Sequence, residues 1–271
     1  MAHSANRSVS KPADAAADES SSPAYLEWRR RKLEQTPWPE GLDESDPKGP
    51  SGHAYAIRKS TWLTGEFRRT QRKGAMDITP QDVIDVFNAA GVQDWVLMGL
   101  HGYVGYMPEP RATQDVDVLV SYRQRKRARK AIAEKWPGLA VLELSQVIRF
   151  RDPSDLDAEG QPRPVVDLML PWSPFQELIL EEYVVIDPQT GHRLPTVEAA
   201  LVSKYAAAIS PHRDRQRKEY DIGDFRRIVR ANHGQLDTSA LRRLAALVWE
   251  QGADEIERFV GIALSDDPFP V

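Results

Sequence analysis

Asp115 and Asp117 stand one residue apart in Arg-Ala-Thr-Gln-Asp-Val-Asp-Val-Leu-Val, residues 111–120. The aliphatic run Val116, Val118, Leu119 and Val120 reads as a buried strand. Alternate side chains of a strand share a face and rise about 3.3 Å per residue, so the two carboxylates project together, roughly 6.5 Å apart at the backbone. Like charges held that close repel unless a cation lies between them. A hard divalent ion is the usual answer, and Mg²⁺ takes one or two carboxylates plus substrate phosphates. The same spacing also arises by chance or at a turn cap, so the pair needs company. Asp167 offers it, flanked by Val165, Val166, Leu168, Met169 and Leu170. An unpaired carboxylate inside such an apolar run is costly to bury. Asp167 is therefore either a strand acid paired with an arginine or a third ligand on a strand beside the Asp-Val-Asp strand. Three carboxylates can hold two Mg²⁺ ions about 3.5–4 Å apart, one activating a nucleophile and one steadying a leaving phosphate.

The composition sets bounds on what surrounds these acids. The chain has 271 residues, 41% hydrophobic and 28% charged, enough for one large domain or two small ones. Cysteine is absent, which excludes disulfides and thiolate metal sites. No apolar run approaches the roughly 18 residues of a membrane span, and the N-terminus lacks the apolar core of a signal peptide, so the expectation is a soluble, cytoplasmic protein. A net charge of −4 argues against a general nucleic-acid coat. Basic residues nonetheless cluster at 56–74, 123–130 and 212–230, where they either attract phosphate or line solvated helix faces.

The elements that must position the acids follow from local signals. Residues 1–23 read as a disordered tail, 24–35 as a short helix and 36–52 as a Pro/Gly-rich linker. A helix is expected within 53–76, around Trp62, Leu63 and Phe67. Thr79-Pro80-Gln81-Asp82 starts a helix that Gly91 stops. Asp94–Gly99 reads as a short strand, after which Gly99, Gly102 and Gly105 loosen the chain. Ser121 with Gln124 resembles a capping box opening a helix at 122–136. Strands are expected at 139–144, 146–151 and 165–170, with a polar loop at 152–163. Helices begin at Ser173-Pro174 and Thr196, and others cover about 216–232, 237–250 and 253–264. The order implies a mixed α+β core, 53–190, followed by an α-helical C-terminal region, 191–271.

Gly99-Leu-His-Gly followed by Pro110-Arg-Ala-Thr-Gln-Asp-Val-Asp-Val118 resembles the minimal nucleotidyltransferases of the DNA polymerase β-like superfamily, most nearly the AbiEii-type toxins. The resemblance covers roughly 79–232, and its specific part is the Arg-x-Thr-x-Asp-x-Asp segment. It implies a polymerase β-like mixed sheet flanked by helices and a Mg²⁺-dependent transfer of NMP from an NTP. On it Asp115 and Asp117 bind metal, and Asp167 binds metal or activates the acceptor hydroxyl. Gly99 and Leu100 form the phosphate turn, where Leu100 replaces the family's second small residue. Arg111 steadies the site or the triphosphate, unless it pairs with an acid of its own loop. Thr113 is a nucleotide contact or a local turn hydroxyl, and Lys204 either contacts phosphate or snorkels to solvent. Asp221 and Asp224 brace Lys218 or Arg217, and His101 either packs or touches a base. The acceptor implied is tRNA or other RNA, a protein or a small molecule, with a cognate antitoxin as a further partner. Two rival readings stay open: an inactive nucleotide-binding module of the same fold, and a metal-dependent glycosyltransferase, which also uses Asp-x-Asp.

Overall fold

The computed structural model describes residues 27, 50–72, 74–187, 191–265 and 267–270. The chain divides into two units, 1–36 and 37–271, and every element named here belongs to the second. The expectations for 1–23, 24–35 and 36–52 therefore lie outside the described residues, apart from a helical Glu27 and the start of the first helix at residue 50.

Helix α1 (Pro50–Gln71) begins before the expected span and ends short of it. Its buried stripe recurs at helical spacing through Ala56, Ile57, Ser60, Leu63, Thr64, Phe67 and Arg68. Three of these are polar, so this helix must meet polar groups as well as the core. Helix α2 (Pro80–Ala90) carries the full capping box: the Thr79 side chain accepts from Asp82 N–H and the Asp82 carboxylate accepts from Thr79 N–H. Gly91 closes it at φ 65°. Strand β1 (Trp95–Leu97) then leads into the short helix α3 (Gly99–Tyr103) and a 3₁₀ turn over Val104–Tyr106.

Strand β2 (Val116–Val120) is followed by α4 (Arg125–Lys135), β3 (Ala140–Glu143), β4 (Val147–Leu156) and β5 (Pro162–Met169). The sheet order is β1-β2-β5-β4-β3; β2 and β5 run parallel and the other pairs antiparallel. Two expectations change here. The Ser121–Gln124 capping box does not form, because Ser121 Oγ donates instead to Asp94 Oδ2 (3.3 Å) and α4 starts at Arg125. The loop expected at 152–163 is mostly strand, with register shifts that accommodate Pro153. Asp152 anchors the extension by accepting from Met76 N–H (2.6 Å) and Ser154 N–H (2.8 Å).

Helix α5 (Pro174–Glu182) leads into an unforeseen hairpin, β6 (Val184–Ile186) with β7 (Arg193–Pro195). The rest is helical: α6 (Val197–Ile209), α7 (Arg215–Asn232), α8 (Thr238–Ala245) and α9 (Gly252–Leu264). Thr196 caps α6, Asp214 caps α7 and Asp237 caps α8. The fold is thus a five-stranded mixed sheet flanked by helices, with an α-helical C-terminal half, as the sequence implied. A continuous apolar core joins β1, β2 and β5 to α2, α6 and α9 through Val96, Leu119, Leu168, Phe87, Leu201 and Phe259. Among the described residues, no helix is long and apolar enough to cross a membrane.

Candidate metal centre

The three acids converge because of register. Parallel pairing sets Asp117 of β2 directly beside Asp167 of β5, and Asp115 precedes Asp117 by one residue pair on the same face. The result is a cluster whose ligand oxygens, one from each of Asp115, Asp117 and Asp167, all lie within 4.8 Å of one another. Asp167 is buried, and the other two are half-buried. Burial pushes the Asp115 carboxyl up to about 6, and the neighbouring Asp167 adds to the shift while Arg149 opposes it. Asp117 is held well above the carboxylate range by burial, then by Asp115 and Asp167. Asp115 and Asp117, each raised by a neighbouring carboxylate, belong to a donor set short of positive charge. An all-oxygen set of this kind suits a hard ion such as Mg²⁺ or Mn²⁺.

Gly99 is what lets Asp117 sit there. It adopts φ 55°, and a Cβ at that position would overlap Asp117 Oδ2 and lie 2.8 Å from Asp117 Cγ. Gly102 is equally tight, since its Cβ would come within 3.0 Å of the Leu97 carbonyl carbon. These glycines do not loosen the segment, as their spacing had suggested; they let α3 press against β1 and β2. Leu100 points into the core at 4% exposure, so its side chain packs there. His101 is also buried, and neither ring nitrogen has a hydrogen-bond partner among the described residues. Burial, with Arg68 and His192 nearby, holds its pKa down at about 3, which favours the packing role.

The remaining candidates form a second cluster beside the first. Lys204 of α6 is half-buried and bridges Asp221 (2.9 Å) and Asp224 (2.9 Å) of α7. Arg111 pairs with Asp224 at 3.1 Å, and the Tyr103 hydroxyl donates to the same carboxylate at 2.8 Å. The Lys204 ammonium lies 4.6 Å from the Tyr103 ring centroid. Burial opposes the Lys204 charge, yet Tyr103, Asp224 and Asp221 outweigh it and raise its pKa. Asp224 moves down to about 2: burial works against ionisation, and Lys204 and Arg111 override it. Lys204 is near enough to Asp117 to offset part of that residue's shift, which ties the two clusters together. Arg111 meets an acid on a distant helix. Two expectations are corrected by this arrangement. Asp221 and Asp224 pair with Lys204, Arg111, Arg213 (2.6 Å) and Arg227 (3.6 Å), and not with Lys218 or Arg217. Lys204 does not snorkel, because α7 supplies its counter-ions. Thr113 is a local hydroxyl, 3.4 Å from Asp115 Oδ1.

Asp167 has the arginine partner that one of its two sequence readings expected, and the sequence did not say which: Arg149 of β4 forks onto it, with Nε 2.9 and 3.0 Å from the two oxygens and Nη2 2.7 Å from Oδ2. The alternation Val147, Arg149, Arg151 against Ile148, Phe150 was the one hint that an arginine shares a sheet face with Asp167. The polar stripe of α1 holds the loop before the acids: Ser60 Oγ donates to Arg111 O (2.6 Å), Thr113 N–H donates to Thr64 Oγ1 (3.0 Å), and Arg68 Nη2 donates to Gln114 O. The basic clusters are largely spent on such structural bonds. Arg69 pairs with Glu66, Arg72 with Asp155, Arg123 with Asp94, Arg129 with Glu143 and Arg215 with Glu219.

No protein-family profile and no curated protein matches the chain. Among solved structures it aligns with the crystal structure of an antigenic nucleotidyltransferase-like protein from Paracoccidioides brasiliensis. Identity there is 13%, covering 69% of this chain and 94% of that one, with a TM-score of 0.40. A likeness of that size assigns no activity, so function has to be argued from the residues themselves.

Proposed function

We propose that the protein is a metal-dependent nucleotidyltransferase of the polymerase β-like type, moving an NMP from an NTP to a hydroxyl. The observation that carries this reading is the cluster of Asp115, Asp117 and Asp167, whose oxygens lie within 4.8 Å on adjacent parallel strands. Asp115 and Asp117 would hold a Mg²⁺ ion, with Asp167 available as a third ligand when Arg149 releases its oxygens. The bound ion would neutralise charge on the phosphates and lower the pKa of an attacking hydroxyl. Around it, Thr113 and α1 keep Asp115 in place, Gly99 leaves room for Asp117, and the Lys204–Asp221–Asp224–Arg111 cluster fixes α6 and α7 beside the acids. A nucleotide contact by Arg111 or Lys204 would require them to be shared with Asp224. A cytoplasmic setting, with NTP and Mg²⁺ at hand, fits this chemistry. The acceptors in keeping with it are tRNA or other RNA, a protein or a small molecule, and the resemblance to AbiEii-type toxins adds a cognate antitoxin. Incubation with each labelled NTP, Mg²⁺ and total cellular RNA or protein tests it. Label that depends on wild-type Asp115 and Asp117 supports the reading; label unchanged in Asp115→Ala and Asp117→Ala removes it.

A second reading, a nucleotide-binding module without turnover, is favoured by one specific observation. The Leu100 side chain occupies the core, at the turn where the family the chain resembles has a small residue and backbone amides meet phosphate. Calorimetry with Mg²⁺ and a non-hydrolysable NTP separates the two, since binding without any transfer selects the module.

A further inference from the structure

Asp117, Asp167 and Arg149 form one rank across β2, β5 and β4, because Asp167 is the registered partner of both of the others. Arg149 takes both oxygens of Asp167 at 2.7–3.0 Å. Among the described residues, neither Asp115 nor Asp117 has an ion pair of this kind. Lys204, Arg111 and Arg68, the other cations nearby, are already matched by Asp221, Asp224 and Asp77.

We infer that Arg149 is a built-in countercharge that sets the number of ions the centre holds: one in the free protein, on Asp115 and Asp117, and a second only when a polyanion accompanies it. The inference rests on the metal-dependent reading above. Its basis is charge. Three ionised carboxylates carry −3, and one divalent ion together with the Arg149 guanidinium balances them. A second divalent ion would leave the half-buried centre at +2, beside a guanidinium that occupies the Asp167 oxygens it needs. Phosphate oxygens of a nucleotide remove that obstacle by supplying both charge and ligands. The guanidinium can then turn from Asp167 toward the phosphates, which suit its fork as well as a carboxylate does. Arg149 has the freedom for this, since its side chain is 30% exposed while that of Asp167 is 7% exposed. Arg149 is thus a positioning residue, acting through Asp167.

The test is the stoichiometry of Mn²⁺ binding, followed by electron paramagnetic resonance of free Mn²⁺ and by calorimetry, without nucleotide. Wild type is expected to take one ion. Arg149→Met keeps the side-chain length and removes the charge, so it is expected to bind that ion at least about tenfold more tightly and to take a second. Its thermal midpoint should rise more on Mn²⁺ addition than that of wild type, because the ion restores the lost countercharge. Arg149→Lys retains the charge and should keep one ion, which a loss of packing alone would not predict. Two ions of similar affinity in wild type, or an Arg149→Met variant matching wild type in count and affinity, overturns the inference and leaves the metal-dependent reading standing. No binding by wild type or either variant overturns both. Wild type and Arg149→Lys keep the test decisive if Arg149→Met does not fold.

Discussion

Replacing Gly99 by alanine tests whether the centre is built by the fit of α3 against β2. Two costs can be separated. The first is backbone strain: φ 55° is left-handed, and a side chain there costs about 1–2 kcal/mol. In a chain of this size that corresponds to roughly 2–8 °C in thermal midpoint. The second is steric. The added Cβ lies 2.8 Å from Asp117 Cγ and overlaps Oδ2, at least about 0.7 Å short of an ordinary carbon contact of ~3.5 Å. The easiest relief is rotation of the Asp117 carboxylate away from Asp115 and Asp167. Magnesium requires oxygens at about 2.0–2.1 Å in near-octahedral array, so a displaced ligand is a lost one. Gly99→Ala should therefore weaken Mn²⁺ binding roughly 10–100-fold, the range seen when a ligand loses its positioning partner. Gly102→Ala is the control: its Cβ meets the Leu97 carbonyl, so it should destabilise without a comparable loss of metal affinity. A double-mutant cycle completes the test: in an Asp117→Ala background the overlap with the carboxylate is gone, and Gly99→Ala should cost its backbone strain plus only the residual 3.0 Å contact with the Cβ of residue 117. Equal Mn²⁺ affinity for Gly99→Ala and wild type, or strict additivity in the cycle, would refute the steric account.

Further outcomes follow from the charges. Because the Asp115 carboxyl is raised to about 6 and that of Asp117 is also raised well above its usual value, protons compete with metal, so Mn²⁺ affinity should climb as pH rises from 5 through 7; a flat calorimetric profile would contradict this. The same shift means that the metal-free protein carries a penalty above pH 6 that fades as pH falls toward 4, on the order of 3 kcal/mol from Asp115 alone. His101 acts in the opposite sense: neutral down to about pH 3 when folded but protonated near 6.5 when unfolded, it withdraws stability as pH drops below 6.5. His101→Leu should therefore flatten the acid side of the melting profile, and an unchanged profile would show that another group controls it. Lys204→Met strands two buried carboxylates and should cost about 3–5 kcal/mol in urea unfolding; a loss below about 1 kcal/mol would mean that Arg111 and Arg213 suffice for them.

Local signals were legible wherever the chemistry is contained in a few adjacent residues. The Thr79–Asp82 box and Gly91 bounded α2, Thr196 opened α6, and the aliphatic run at 116–120 gave a strand with its two acids on one face. The Ser121–Gln124 box failed for the same kind of reason read the other way: its hydroxyl had a better partner in Asp94, 27 residues away. The strand through Pro153 was missed because Asp152 is held by Met76, which no local pattern announces.

By itself, then, the sequence determined which residues carry charge in strand contexts, which helices begin where, and that Asp115 and Asp117 share a face, since spacing along a strand dictates side-chain direction. Only the tertiary structure decided that Asp167 stands beside Asp117 and that Arg149 grips it, because the parallel and antiparallel registers of β5 are set by pairing between distant segments. It also decided that Leu100 is core, that Gly99 is space for a carboxylate, and that Lys204 answers to α7. Those assignments depend on which surfaces meet, and burial and ion pairing act on surfaces in contact, not on neighbours in the chain.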